Sequence, residues 1–173
     1  TEHNLPETVA RLLYNRGLTK DEDIQRFLKN DLSANLHDPF LLKDMDRAVA
    51  RVRKALEESE KITVYGDYDV DGITSTVILY QYLSEQTETI DYYIPSRIDE
   101  GYGLNRSAVE AIRASGSTLL ITVDTGTTAV EEIAYAKAIG LDVVVTDHHE
   151  CMEQLPDCPV VNPKRKDYTY PFP

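Results

Sequence analysis

From Lys61 onward, short apolar runs alternate with helical stretches of roughly 10–15 residues, and this pattern constrains the fold more than any other feature of the chain. Ile62-Thr63-Val64-Tyr65 is β-branched and aromatic, as strands are. The spacing predicts a helix from Gly72 through Leu83, a second strand over Thr89–Ile94 ended by Pro95, and a helix to about Ala114. Leu119-Leu120-Ile121-Thr122-Val123 and Val143-Val144-Val145-Thr146 have almost no polar alternation, which marks strands buried on both faces. A helix ending near Gly140 separates these two, and Val160-Val161 offers one more strand. The expected fold class is therefore α/β: a three-layer domain with a mainly parallel sheet flanked by helices. Three S/T-x-x-E spacings, Thr19/Glu22, Ser107/Glu110 and Thr128/Glu131, predict capping boxes at helix starts.

Residues 1–60 read differently. They are helical and mixed in charge, with Met45, Val49, Val52 and Leu56 at helical spacing. The expected organisation is a small N-terminal helical extension over 1–60, packed on a domain over 61–173. The chain has no apolar run near the roughly 20 residues that span a bilayer. Its two cysteines, Cys151 and Cys158, make no disulfide framework and suit a cytosolic chain.

The formal net charge is −12, which opposes gripping nucleic acid by bulk charge. The excess is unevenly placed: residues 1–60 carry 10 basic and 12 acidic side chains, whereas residues 61–173 carry 8 and 18. In an open parallel sheet, sites form beyond the carboxyl ends of the strands. There the sequence reads Gly66-Asp67-Tyr68-Asp69-Val70-Asp71-Gly72, Asp124-Thr125-Gly126 and Asp147-His148-His149-Glu150. Five aspartates and two histidines are thus delivered to one rim, where like charges raise each other's pKa. Divalent cations remove that conflict, and oxygen ligands with one or two imidazoles suit Mn²⁺ or Mg²⁺. Zinc lacks suitably placed thiolates.

Other readings of these segments fail on their spacing. An EF-hand loop starting at Asp67 or Asp69 needs Glu at its twelfth position, where the chain has Ile78 or Tyr80. No phosphate loop of the Gly-x-x-x-x-Gly-Lys-Ser/Thr type occurs. Gly66 and Gly72 are expected to supply φ > 0 in tight turns that aim the carboxylates. The Gly-rich stretch from Pro95 to Asn105 carries Arg97 for a substrate phosphate and Tyr102 for stacking. The alternative there is a surface loop closed by an Arg97–Glu100 ion pair.

Taken in order, Gly66–Gly72, Asp124-Thr125-Gly126 and Asp147-His148-His149 resemble the first three motifs of the DHH phosphoesterase family. Tyr65–Gly72, Glu100-Gly101-Tyr102-Gly103-Leu104 and Asn162-Pro163-Lys164-Arg165 narrow the resemblance to its RecJ-type branch of single-strand-specific exonucleases. Arg16-Gly17-Leu18 and Leu36-His37-Asp38-Pro39 are similar to that branch as well. The resemblance implies a metal-dependent 5′→3′ exonuclease that hydrolyses single-stranded DNA to mononucleotides in DNA repair and recombination. It implies two Mn²⁺ or Mg²⁺ ions, with Asp69, Asp71, Asp124 and His148 as metal ligands. It makes His149 the contact to the scissile phosphate, with Asp67 at or behind the metals and Asp147 orienting its neighbours. Arg97, Glu100, Tyr102 and Asn105 would border the substrate path. It also implies a cytoplasmic monomer served by a helicase or single-strand-binding protein. RecJ-type chains continue past the equivalent of Pro173, so a catalytic domain truncated at its C-terminal end, inactive alone, is the matching expectation. The competing functions are an oligoribonuclease or phosphatase acting on short nucleotides, and a non-catalytic nucleic-acid-binding scaffold.

Overall fold

A computed structural model describes residues 5–29, 36–98, 100–168 and 170. The terminal Pro171-Phe172-Pro173 and Asp99 lie outside the described residues. The chain divides into two compact units, 1–38 and 39–173. The first contains helices α1 (Glu7–Asn15) and α2 (Asp21–Leu28). Helix α1 ends as helices with a glycine one residue past the cap do. Gly17 takes φ 77°, and the Gly17 and Leu18 N–H groups return to the Tyr14 and Leu13 carbonyls.

The second unit is built on five parallel strands: β1 (Ile62–Gly66), β2 (Ile90–Tyr93), β3 (Leu119–Val123), β4 (Asp142–Thr146) and β5 (Val160–Val161). Their order is β2-β1-β3-β4-β5. Helices α3 (Met45–Glu57), α4 (Val70–Ser84), α5 (Arg106–Ala114) and α6 (Val130–Ala138) cover the sheet. The period-2 alternation of strand side chains decides which face each residue meets. Ile62, Val64, Leu119, Ile121, Val123 and Val144 face Ala48, Ala55 and Leu83 of α3 and α4. Tyr65, Leu120, Val143 and Val145 face Ala108, Val109, Ile112, Ile133 and Ala136 of α5 and α6. Both faces are buried, which is why β3 is apolar except for Thr122, whose hydroxyl donates to Thr125 O. The three-layer, parallel α/β expectation is met, and every strand pair is parallel. Helix α3, which the sequence reading assigned to an extension ending at residue 60, lies in the larger unit and contacts β4 and β5.

The capping expectations fail in an instructive way. Asn105, not Ser107, caps α5: its Oδ1 accepts the Ala108 N–H at 2.8 Å, and Ser107 Oγ donates to the same oxygen. Helices α2 and α6 have Lys20 and Ala129 at the cap position with no side-chain bond. Helix α2 instead opens with Asp21, Glu22 and Asp23, whose charges favour the positive end of the helix dipole. The turn before α6 is fixed from across the sheet edge, by Thr127 N–H donating to Asp147 Oδ2 at 2.9 Å.

The strand order contains one reversal. From β1 the chain passes under α4 to β2 at one edge, then crosses over α5 on the opposite face to reach β3. The carboxyl ends of β1 and β3 therefore diverge into a crevice, the usual place for a ligand in an open α/β sheet.

Candidate metal and phosphodiester site

The crevice is a cleft of about 400 Å³ lined by Asp71, Thr74, Ser75, Val123, Asp124, Thr146, Asp147 and His148. Its left wall is the β1–α4 turn. Asp67 is buried at the end of β1, and its Oδ1 accepts the Tyr68 N–H at 2.7 Å. Asp69 caps α4 through its Oδ1, 3.0 Å from Gly72 N. That bond holds the Asp69 carboxyl below its ordinary range. Asp71 sits in the first turn of α4 and opens into the cleft.

Gly66 and Gly72 do not have positive φ, contrary to expectation. They are needed for close approach instead. A Cβ on Gly72 would stand 2.4 Å from Asp67 O and 2.6 Å from Asp67 N. One on Gly66 would meet Thr76 Oγ1 at 2.0 Å. The first turn of α4 thus lies directly on the end of β1, and only this contact lets Asp67, Asp69 and Asp71 share one rim.

The right wall comes from β3 and β4. Asp124 follows β3 in the left-handed region at φ 60°, unusual for a residue with a Cβ. Its side chain is only 4% exposed, and Oδ1 lies 2.8 Å from His148 Nε2. Its Oδ2 is buried with no hydrogen-bond partner, alone in this among the side-chain atoms of the described residues. Burial, aided by the Asp69 charge, pushes the Asp124 carboxyl up, against the bond from His148. Asp124, His148 and His149 each place a ligand atom within 4.8 Å of the others.

Asp147 is built for another task. Its carboxylate is 2% exposed and accepts from Thr127 N (2.9 Å), His148 N (2.7 Å), His149 N (3.1 Å) and His149 Nδ1 (2.8 Å). Burial would raise its pKa, yet these donors, led by Thr127 N–H, hold it below its ordinary value. The same Asp147 bond raises the His149 pKa. Replacing Asp147 by Asn keeps the shape but sets an N–H₂ against donors. The expected loss is about 2 kcal/mol at neutral pH, read from urea unfolding. The folded pKa of Asp147 is depressed, so its contribution is present above the ordinary value of 3.8 and fades as pH falls through the folded value. The wild-type advantage over Asp147→Asn should therefore shrink in acid. A gap that widens toward acid would contradict the carboxylate's role.

The β2–α5 loop leans over this wall. Tyr65 OH donates to Gly103 O at 2.7 Å and anchors it. Glu100 accepts from Tyr93 OH (2.7 Å) and Ser96 N (2.8 Å), which hold its carboxyl low, and it makes no ion pair with Arg97. Glu100 and Asn105 shape this loop and the start of α5. Arg97 instead lies over the Tyr68 ring at 5.5 Å, Tyr68 meets Tyr102 edge-on at 6.4 Å, and Tyr102 OH is 3.3 Å from His149 Nε2. Burial and the charges of Asp67, Asp147, Asp124 and Asp69 push the Tyr102 phenol up to about 12.

The structure brings Asp67, Asp69, Asp71, Asp124, Asp147, His148 and His149 to one rim, with Arg97 and Tyr102 at its border. It groups His149 with Asp124 and His148, whereas the sequence reading kept His149 for the phosphate. Two contributors escaped that reading. Thr127 acts through its main-chain N–H, which no side-chain pattern signals. Asn162 was visible only as one residue of a motif, without a role. Cys151 is buried, with Sγ 4.0 Å from His149 O, and is no member of the ligand group.

An acidic, imidazole-bearing crevice at the switch point of a parallel sheet defines the class: an α/β domain whose Asp124, His148 and His149 could hold a metal ion. Comparison gives the particular family. A model described as DHH family, N-terminal domain, matches residues 61–169, and the chain belongs to the DHH family. It is 46% identical over 165 residues to the single-stranded-DNA-specific exonuclease RecJ of Bacillus subtilis, covering 95% of this chain and 21% of that protein. It is 33% identical over 169 residues to the Escherichia coli RecJ exonuclease, covering 96% and 28%. A crystal structure of exonuclease RecJ bound to manganese superposes with a TM-score of 0.69 at 35% identity, covering 76% of this chain and 34% of that one. RecJ from Thermus thermophilus in complex with Mn²⁺ gives 0.64 at 30%, covering 87% and 20%. The chain therefore spans about a fifth to a third of the length of these relatives.

Proposed function

We propose that this chain carries the metal-binding half of a RecJ-type active site, which hydrolyses single-stranded DNA from its 5′ end to mononucleotides. The observation that carries the proposal is the buried, unpartnered Oδ2 of Asp124 beside the imidazoles of His148 and His149. A carboxylate oxygen shut away from both water and protein donors calls for a cation. The donor set of carboxylate oxygens and imidazole nitrogens fits Mn²⁺ or Mg²⁺. Asp124 and His148 would hold it, with Asp69 and Asp71 from the facing wall and His149 at the same centre. Bound there, the ions supply a water activated near neutral pH and countercharge for the phosphate oxygens.

The chain's own residues do the rest. Asp147 keeps the proton of His149 on Nδ1 and so turns Nε2 toward Tyr102 and the cleft. Asp67 closes the floor behind Asp69. Arg97 offers a guanidinium to a substrate phosphate, and Tyr68 and Tyr102 offer ring faces to an unpaired base. In this reading residues 61–173 hold the catalytic groups, and only the separate unit over 1–38 is an extension. The working protein is a cytoplasmic monomer on single-stranded DNA in repair and recombination, delivered by a helicase or single-strand-binding protein. No helix among the described residues is long and apolar enough to cross a membrane.

The test is a pair of assays in Mn²⁺ on a full-length protein containing this chain, with long 5′-ended single strands and with dinucleotides as substrates. The expected result is preferential release of mononucleotides from the long strand. Replacing Tyr102 by Ala should weaken strand binding about tenfold or more, in line with the roughly 1–3 kcal/mol of a stacked base. Preferential cleavage of dinucleotides would replace this reading with a short-substrate phosphodiesterase.

A further inference from the structure

We infer that Asn162 is a positioning residue for His149, a role that rests on the proposed part of His149 at the metal centre. Asn162 follows β5 and is 1% exposed. Its Nδ2 lies 3.0 Å from His149 O and 2.9 Å from Thr127 Oγ1, and its Oδ1 accepts Lys164 N–H at 2.8 Å. These partners fix which way the amide points, because the His149 carbonyl only accepts and the Lys164 N–H only donates.

Two routes then lead from this one amide to His149. The direct route holds its main chain. The indirect route runs through Thr127, whose N–H donates to Asp147 Oδ2, while Asp147 Oδ1 accepts the hydrogen bond of His149 Nδ1–H. One buried side chain thus ties together the loops after β3, β4 and β5, and both the backbone and the ring of His149 depend on it. Groups that hydrogen-bond a metal ligand and orient it commonly change metal affinity by about 10–100-fold when lost, and Asn162 bonds the His149 carbonyl directly. This gives a role to the Asn162-Pro163-Lys164-Arg165 segment. Arg165 serves the fold separately, bonding Asp44, Asp167 and the Val160 carbonyl.

Asn162→Asp keeps the size but turns an oxygen toward the His149 carbonyl, so it tests the donor itself. In the metal-free, ¹⁵N-labelled chain, the expected result is a shifted or lost His149 Nδ1–H imidazole resonance. The backbone amide signals of β1, β3 and β4 should stay in place. Calorimetry should show Mn²⁺ binding weakened about tenfold. Thr127→Val removes only one of the two acceptors and should shift the same resonance less, which covers the case in which the Asp variant does not fold. An unchanged His149 resonance in either folded variant overturns the inference, even if the melting temperature falls, because a purely structural role predicts that pattern. A wild-type chain that binds no Mn²⁺ would count against the proposed function, while the ring resonance would still decide the part played by Asn162.

Discussion

Gly72→Ala is expected to destabilise the chain by about 3 kcal/mol, the upper end of the range for forcing atoms into a packed site. The added Cβ would stand 2.4 Å, 2.6 Å and 2.7 Å from O, N and C of Asp67. All three are backbone atoms at the end of a strand buried on both faces, so no side chain can swing aside. Relief requires lifting the start of α4 off β1, which also displaces Asp69 and Asp71 from the rim. A control separates this contact from the general effect of losing a glycine. Gly116 has φ 95° but nothing within 4 Å of its Cβ position. Gly116→Ala should therefore cost only the left-handed penalty, about 1 kcal/mol. Urea unfolding of both variants checks the order. Equal losses would mean that the helix–strand contact at Asp67 is not as tight as described.

The same pair of glycines shows how far the sequence could be read. That Gly66 and Gly72 bracket the carboxylates was plain from their positions. That they permit close packing rather than a left-handed turn was not, because both uses leave the same letter. The strands were legible almost to the residue, since burial on both faces leaves Thr122 as the one polar side chain in Leu119–Val123 and none in Val143–Val145. Helix starts were not. S/T-x-x-E spacing at Ser107 and Thr128 loses to other groups: Asn105 caps α5, while the start of α6 has no side-chain cap and the turn before it is held by Asp147. The aspartates and histidines of the rim could be collected from the strand ends alone. Their division of labour could not. Asp124 and Asp147 each follow a strand and look alike in sequence. Yet one is left with an unpartnered oxygen and the other is saturated by four donors, and only the paths of the Thr127 and His149 main chains distinguish them.

That distinction gives the second large effect. Mn²⁺ at a hundred times its dissociation constant should stabilise the wild-type chain by about 2.7 kcal/mol, since only the folded state assembles the ligands. For a chain of this size, that corresponds to a rise of roughly 5–10 °C in melting temperature. Asp124→Asn should abolish most of this response. An amide nitrogen or a neutral carbonyl in place of the buried Oδ2 removes the charge that balances the ion, and the Asp124–His148–His149 group loses its anionic member. Without metal the same substitution has the opposite sign. It relieves a carboxylate that burial and Asp69 both disfavour, and the new N–H₂ can donate to Asp69. The metal-free variant should match or exceed the wild type by up to about 1 kcal/mol. Glu88→Gln removes the same formal charge from an exposed position beyond α4 and should leave the Mn²⁺ response intact. Thermal melts of the three proteins with and without Mn²⁺ decide the matter. If Asp124→Asn keeps the full Mn²⁺ shift, the cation is held elsewhere. If it loses stability without metal, the unpartnered oxygen is not the source of tension at this site.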